Sequence, residues 1–206
     1  MTGLDLGGIA ALGAFHGINP AMGWLFAVGL GLQEGSRRAL GSALGPIAAG
    51  HAASIGLIVL VVAEMQGVVS ADALRVAGAV ALAGFAIWKL VRNRHVRWVG
   101  FRLRRRELAL WSFLMSSAHG AGLMLVPFLL GSGVALGGGD QLVANGVAGD
   151  ALAVAVHTAA MVAVLAVVAL LVYELIGVQI LRTAWVNLDR FWALALLVAA
   201  GATLLG

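Results

Sequence analysis

Apolar residues fill the chain in runs of roughly 20, the length that carries an α-helix across the hydrocarbon core of a bilayer. Six such runs stand out: Leu6–Leu32, Ala43–Ala63, Ala73–Leu90, Leu108–Gly131, Asp150–Tyr173 and Phe191–Leu205. A backbone in lipid must satisfy its own polar groups, so each run is read as a transmembrane helix. The predicted class is all-α, one integral membrane domain over residues 1–206. Polar punctuation divides it into a first half, 1–92, a basic link, 93–107, and a second half, 108–206. Each half holds an odd number of spans, so the second must thread the membrane in the opposite sense. The expectation is a bundle of six transmembrane helices built as a 3+3 inverted repeat.

Particular residues carry the correspondence between the halves. Phe15-His16-Gly17 is answered by Ala118-His119-Gly120, and the histidines recur at 51 − 16 = 35 and 157 − 119 = 38 positions. His51-Ala52-Ala53-Ser54 and Val61-Val62-Ala63 are answered by His157-Thr158-Ala159-Ala160 and Val167-Val168-Ala169. Alanine and valine matches carry little weight in so apolar a chain. Histidines at corresponding places carry more.

Composition supports the membrane reading: 62% of the 206 residues are hydrophobic, 11% are charged, and the mean hydropathy is +1.02. A soluble domain of this size has no way to cover that much apolar surface. Charge placement then orients the helices, because cytoplasmic loops collect Lys and Arg. The link, with Arg94, Arg97, Arg102, Arg104, Arg105 and Arg106, and Arg92 just before it, is assigned to the cytoplasm, and with it Arg37, Arg38, Arg182 and Arg190. Asp5, Glu64, Asp72, Asp140 and Asp150 then fall outside, with Arg75 the basic exception, and both termini are predicted outside. Trp88, Trp98, Trp111, Trp185 and Trp192 fall near the inner interface, where indoles settle. A bacterial cytoplasmic membrane is the expected location.

A pI near 11.0 raises nucleic acid as a partner, but the basic residues adjoin membrane spans, where anionic headgroups account for them. No nucleic-acid partner is expected. The chain has no cysteine, which removes disulfides, thiolate ligands and dithiol electron relay. The first apolar segment lacks the basic start of a secretory signal and contains Gly13, His16, Asn19 and Pro20, so it is read as a mature helix. No phosphate-binding glycine motif, nucleophile triad or carboxylate pair marks an enzyme.

His16, His51, His119 and His157 carry the candidate chemistry. A neutral imidazole in hydrocarbon has a donor and an acceptor to satisfy, and ionisable groups within spans mark functional sites. At 1.5 Å per residue, His16 and His119 lie about 15 and 16 Å inside their helices, and His51 and His157 about 10 to 12 Å. All four converge if the first, second, fourth and fifth spans form the central bundle. Imidazole binds Cu, Ni, Co and Zn ions, so these four are the predicted metal ligands. Met115 and Met161, each one turn from a histidine, are candidate accessory ligands. Met22 is less well aligned, and methionine also fills gaps in cores. Asn19, Ser54, Ser116 and Thr158, with Ser117, are candidates to hydrogen-bond the second imidazole nitrogens, though helix-to-helix bonding is their commoner use.

Pro20 and Pro127 are predicted helix breaks, which would free the carbonyls of His16 and Leu123. Pro46 is read as lying near the start of the second span, where helices tolerate it. His95, in the basic link, is excluded from the site. The glycine-rich Gly131–Gly149 is read as a linker or a mobile entrance, and Glu174–Asp189 as an inner surface helix.

His16-Gly17-Ile18-Asn19-Pro20 and the stretch from Pro46 to His51, set in six spans, resemble the lysine-exporter (LysE) superfamily of small translocators, which includes NicO-type nickel/cobalt efflux proteins and the DsbD/CcdA electron carriers. The reactive cysteines of the latter and the histidine-rich loop of the former are absent, so the resemblance implies the fold and a broad transport role. The expected function is a transporter or permease for a transition-metal ion. A haem-binding protein with histidine axial ligands and an exporter of a small organic solute are the alternatives. Lipid, the ion and, in a homodimer, a second copy of the chain are the expected partners.

Overall fold

The computed structural model describes residues 3–66, 68–91, 104–129, 146–175 and 189–205, and every regular element among them is helical. In order these are α1 (Gly3–Ile18), a 3-10 turn (Pro20–Met22), α2 (Trp24–Glu34), α3 (Arg37–Gln66), α4 (Ala71–Val91), α5 (Arg105–Ala118), a second 3-10 turn (Leu123–Leu125), α6 (Val126–Leu129), α7 (Gly146–Leu175) and α8 (Asp189–Leu205). By length and composition, α3 and the Ala148–Leu175 part of α7 can each cross a membrane. A third crossing is made if Arg106–Ala118 and Leu123–Leu129, bent by 54°, count as one span. The described helices thus supply two or three spans by these measures, where the apolar pattern predicts six.

The pattern of burial is compatible with a bilayer around the helices. Large apolar side chains face outward, among them Leu57, Leu60 and Val61 on α3, Leu110 and Leu114 on α5, Val167 and Leu171 on α7, and Leu194 and Val198 on α8. The buried polar residues include His16, Asn19, His51, Ser54, Ser112, Ser116, His119 and His157. Lipid solvates an apolar exterior at no cost, whereas polar groups must find partners inside.

The main packing pairs are α1 on α7, α3 on α5 and α4 on α8, and α3 also meets α7. Arg37 at the start of α3 pairs with Glu174 at the end of α7 at 2.7 Å, and His51 and His157, near the middles of the same helices, lie 5.4 Å apart. Those two contacts fix α3 and α7 as antiparallel.

The first predicted span is interrupted as expected. Asn19 is extended, its Oδ1 accepts the Ala21 N–H at 2.9 Å, and Pro20 opens the 3-10 turn. Gly23 then takes φ 120°, a conformation L side chains rarely adopt, and α2 begins. The freed-carbonyl expectation does not hold. The His16 carbonyl accepts the Asn19 N–H at 3.1 Å, because the 3-10 geometry recruits a donor three residues on. The Leu123 carbonyl likewise accepts the Val126 N–H.

The fourth predicted span breaks earlier than Pro127. α5 ends at Ala118, Gly120 takes φ 70°, and Pro127 sits in the first turn of α6, where its missing N–H costs nothing. Pro46 is corrected the other way. Gly35, left-handed at φ 58°, ends α2, and the Ser36 hydroxyl accepts the Arg38 N–H at 3.2 Å. α3 therefore starts at Arg37, and Pro46 lies inside it, withdrawing a hydrogen bond from the Ser42 carbonyl. His95 and most of the basic link, nearly all of Gly131–Gly149, and residues 176–188 of the expected surface helix lie outside the described residues.

Candidate functional site

Three of the four predicted histidines meet. The His16 ring lies 5.0 Å from that of His157 and 5.7 Å from that of His51, and the His51 and His157 rings lie 5.4 Å apart, centroid to centroid. All three are completely buried, and they come from α1, α3 and α7. His119, at the end of α5 and 8% exposed, is close enough to His16 to interact electrostatically.

Glycines bring the backbones together. On α1, Gly13 and Gly17 both face α7: a Cβ at Gly13 would run into the His157 carbonyl, and one at Gly17 would lie 2.5 Å from the Met161 carbonyl oxygen. His16 lies between them on the intervening turn. On α3, a Cβ at Gly50 would strike the Ala109 carbonyl of α5, so the helix bearing His51 is also seated against its neighbour's backbone. Small residues four apart are the usual means of close helix approach in membranes.

Polar bonds set the ring orientations. His16 Nδ1 lies 2.9 Å from the Leu12 carbonyl and His119 Nδ1 lies 2.7 Å from that of Met115. A carbonyl only accepts, so in the neutral ring each Nδ1 donates and each Nε2 carries the lone pair. The two residues share this i−4 bond and a place just before a helix break. His51 Nδ1 lies 2.6 Å from Ser116 Oγ. That bond belongs to a ladder joining α3 to α5, in which Ser112 Oγ donates to the Ile47 carbonyl at 2.8 Å and Ser54 and Ser117 share a hydrogen bond at 2.9 Å.

Among the described residues, His51 Nε2 and both His157 nitrogens make no hydrogen bond. The Ile9 carbonyl faces His157 without meeting it at bonding geometry. Leaving such atoms unpaired in an apolar interior is costly, and a ligand at the centre of the three rings would relieve that cost. An imidazole nitrogen about 2.1 Å from an ion puts neighbouring ring centroids about 5.2 Å apart at tetrahedral angles and about 5.5 Å apart at trigonal ones. The ring spacing matches that range. The nitrogens are not arranged as a finished ligand set: among the described residues no group of three or more His, Cys, Asp or Glu side chains could hold a metal ion as placed. Ring rotation is required, and His157 has no hydrogen bond holding it.

The accessory residues divide. Ser116 does hold an imidazole, as expected, and Ser54 bonds Ser117 instead. Met115 contributes its carbonyl to His119, and Met161 is completely buried with its carbonyl against Gly17. Thr158 Oγ1 has no hydrogen-bond partner, and Asn19 spends its Oδ1 on the helix break while its Nδ2 is buried without one. The sequence reading missed Ser112 and the pairing of Gly13 with Gly17. The four-residue spacings Ser112–Ser116 and Gly13–Gly17 were the available signals.

No family model, curated protein or solved structure matches this chain.

Proposed function

We propose that the chain is a six-span membrane permease for a transition-metal ion, built as a 3+3 inverted repeat, with His16, His51 and His157 as its intramembrane ligands and His119 beside them. The convergence of three completely buried imidazoles from three helices carries this reading. Inverted-repeat architecture is supported by the exchange in the packing, α1 on α7 and α5 on α3, by antiparallel α3 and α7, and by the matching breaks after His16 and His119. The charge pattern supports a cytoplasmic basic link, outside termini and a bacterial cytoplasmic membrane. The resemblance to the lysine-exporter superfamily belongs to the same proposal.

In this reading the break at Asn19–Gly23 lets α2 move without dragging α1, and ring rotation exchanges ligands as the ion passes. The haem alternative is less favoured, because axial imidazoles on opposite faces of one iron would put their centroids about 6.4 Å apart at a similar metal–nitrogen distance of about 2 Å, wider than any pair in the cluster. A second reading, export of a small organic solute, draws support from the buried, unpartnered Asn19 Nδ2, a donor that a cation cannot use.

Flux into proteoliposomes, measured by elemental analysis for the native protein and a variant with His16, His51 and His157 all replaced by Asn, tests the proposal. The native protein is expected to admit the ion and the variant to exclude it. Equal flux through both rejects the site, and transport of an organic solute under metal-free conditions favours the second reading.

A further inference from the structure

The ligand set is electrically neutral, and this bears on which ion it can take. We infer that the cation is monovalent and soft, Cu(I) with Ag(I) as its stand-in, an inference that rests on the metal reading above. Among the described residues, the titratable groups acting on His16 are His157, His51 and His119, and His51 faces His157, with no carboxylate among them. Along the helices that carry the triad, the described carboxylates stand well away. Asp150 is seven residues before His157 and Glu64 thirteen after His51, about 10 and 20 Å of helical rise. No described carboxylate therefore compensates the charge of a bound ion, and its cost of transfer into a low-dielectric interior grows as the square of that charge, about fourfold from a monovalent to a divalent ion.

Ligand number points the same way. Three imidazoles complete a trigonal site for a d10 monovalent ion, and the ring separations of 5.0, 5.4 and 5.7 Å accommodate the trigonal spacing of about 5.5 Å as well as the tetrahedral one of about 5.2 Å. Zn(II) asks for four ligands, and octahedral ions ask for more. The triad is completely buried, so a fourth ligand would have to come from His119, beside His16, rather than from bulk water. The side chain one turn beyond His157 is the completely buried Met161, whose thioether suits Cu(I) and Ag(I) rather than Zn(II) or Ni(II).

The test is equilibrium dialysis of the purified full chain in detergent against Ag(I), Zn(II) and Ni(II) separately, with bound metal counted by elemental analysis. Native protein, His51→Asn and His157→Asn are compared, with circular dichroism and gel filtration confirming that each variant is folded. Should both variants misfold, imidazole 15N shifts of the native protein on adding Ag(I) report the ligands directly. The expected result is one Ag(I) per chain, at least about 100-fold tighter than Zn(II) or Ni(II), weakened at least about tenfold in each folded variant, with shifts at the triad nitrogens. Zn(II) or Ni(II) binding at the triad as tightly as Ag(I) overturns the monovalent assignment and leaves the metal reading standing. Ag(I) binding that ignores both substitutions and leaves the imidazole shifts unmoved overturns the assignment by placing the ion elsewhere. Binding of none of the three overturns both readings.

Discussion

Gly17→Ala probes how α1 is seated on α7. Its Cβ would lie 2.5 Å from the Met161 carbonyl oxygen, 2.9 Å from Val164 Cβ and 3.0 Å from the Leu165 nitrogen, where ordinary contact begins at 3.4 Å. Two of those atoms are backbone, so no rotamer change relieves the clash. α1 must retreat from α7 by about 3.4 − 2.5 = 0.9 Å. Overpacking of this kind costs about 1–3 kcal/mol, against a gain of about 0.5–1 kcal/mol from replacing glycine by alanine in a helix. The net expectation is a loss of up to about 2.5 kcal/mol. A retreat of that size also widens the 5.0 Å separation of His16 and His157, well outside the few tenths of an ångström that metal–ligand distances tolerate, so on the proposed metal reading affinity is expected to fall with stability. Unfolding in mixed detergent micelles, followed by circular dichroism, reads the first effect, and metal dialysis reads the second. Gly56→Ala is the control: Gly56 lies in the middle of α3 with nothing within 4 Å of its added Cβ, so it should be neutral or stabilising. If Gly17→Ala is as stable as Gly56→Ala and binds metal as the parent does, the close seating of α1 on α7 is wrong.

Three further outcomes follow from the geometry. Ser116→Ala leaves His51 Nδ1 without its partner at 2.6 Å and should weaken metal binding about 10–100-fold while the fold persists; unchanged affinity would remove this hydroxyl from the site. Gly23→Ala forces an L residue to φ 120° and sets its Cβ 2.9 Å from Ile47 Cδ1, for an expected loss of about 1–3 kcal/mol on the same unfolding assay; native stability would mean that the break relaxes freely. Arg37→Ala should leave the unfolding midpoint where it is, since the Arg37–Glu174 pair is largely exposed; a clear drop would show that the pair is shielded from water and helps hold α3 to α7.

Much of this arrangement is legible in the sequence, and the exceptions have physical causes. His16, His51 and His157 are recognisable as polar groups stranded in apolar runs, and Pro20 announces the break that follows His16. The position of His119 at the end of α5 is not legible, because it depends on Gly120 entering the left-handed region and turning the chain before Pro127 is reached. Helix starts are missed for a related reason. Arg37 and Arg38 look like a loop by charge alone, yet a single left-handed glycine and one capping serine suffice to end α2 and begin α3. The roles of serine are hidden as well, since Ser54, Ser112 and Ser116 read alike in sequence and differ only in which atoms of the neighbouring helix stand opposite them.

The contrast between the two helix pairs that seat the triad has a mechanical consequence. α3 and α5 are riveted by directional bonds, Ser112 to Ile47, Ser116 to His51 and Ser117 to Ser54, and a slip of one turn would break all of them together. α1 and α7 touch through Gly13 and Gly17 set against carbonyls, and through Ile9 and Leu12 in one apolar cluster with Ala153, Val154 and Val156, a fit that is not directional but still sets the register, since sliding would bring side chains where only glycine fits. The first pair resists sliding by bonds that must break, the second by side chains that would collide with carbonyls. The triad is thus held between one bonded seam and one close-packed seam.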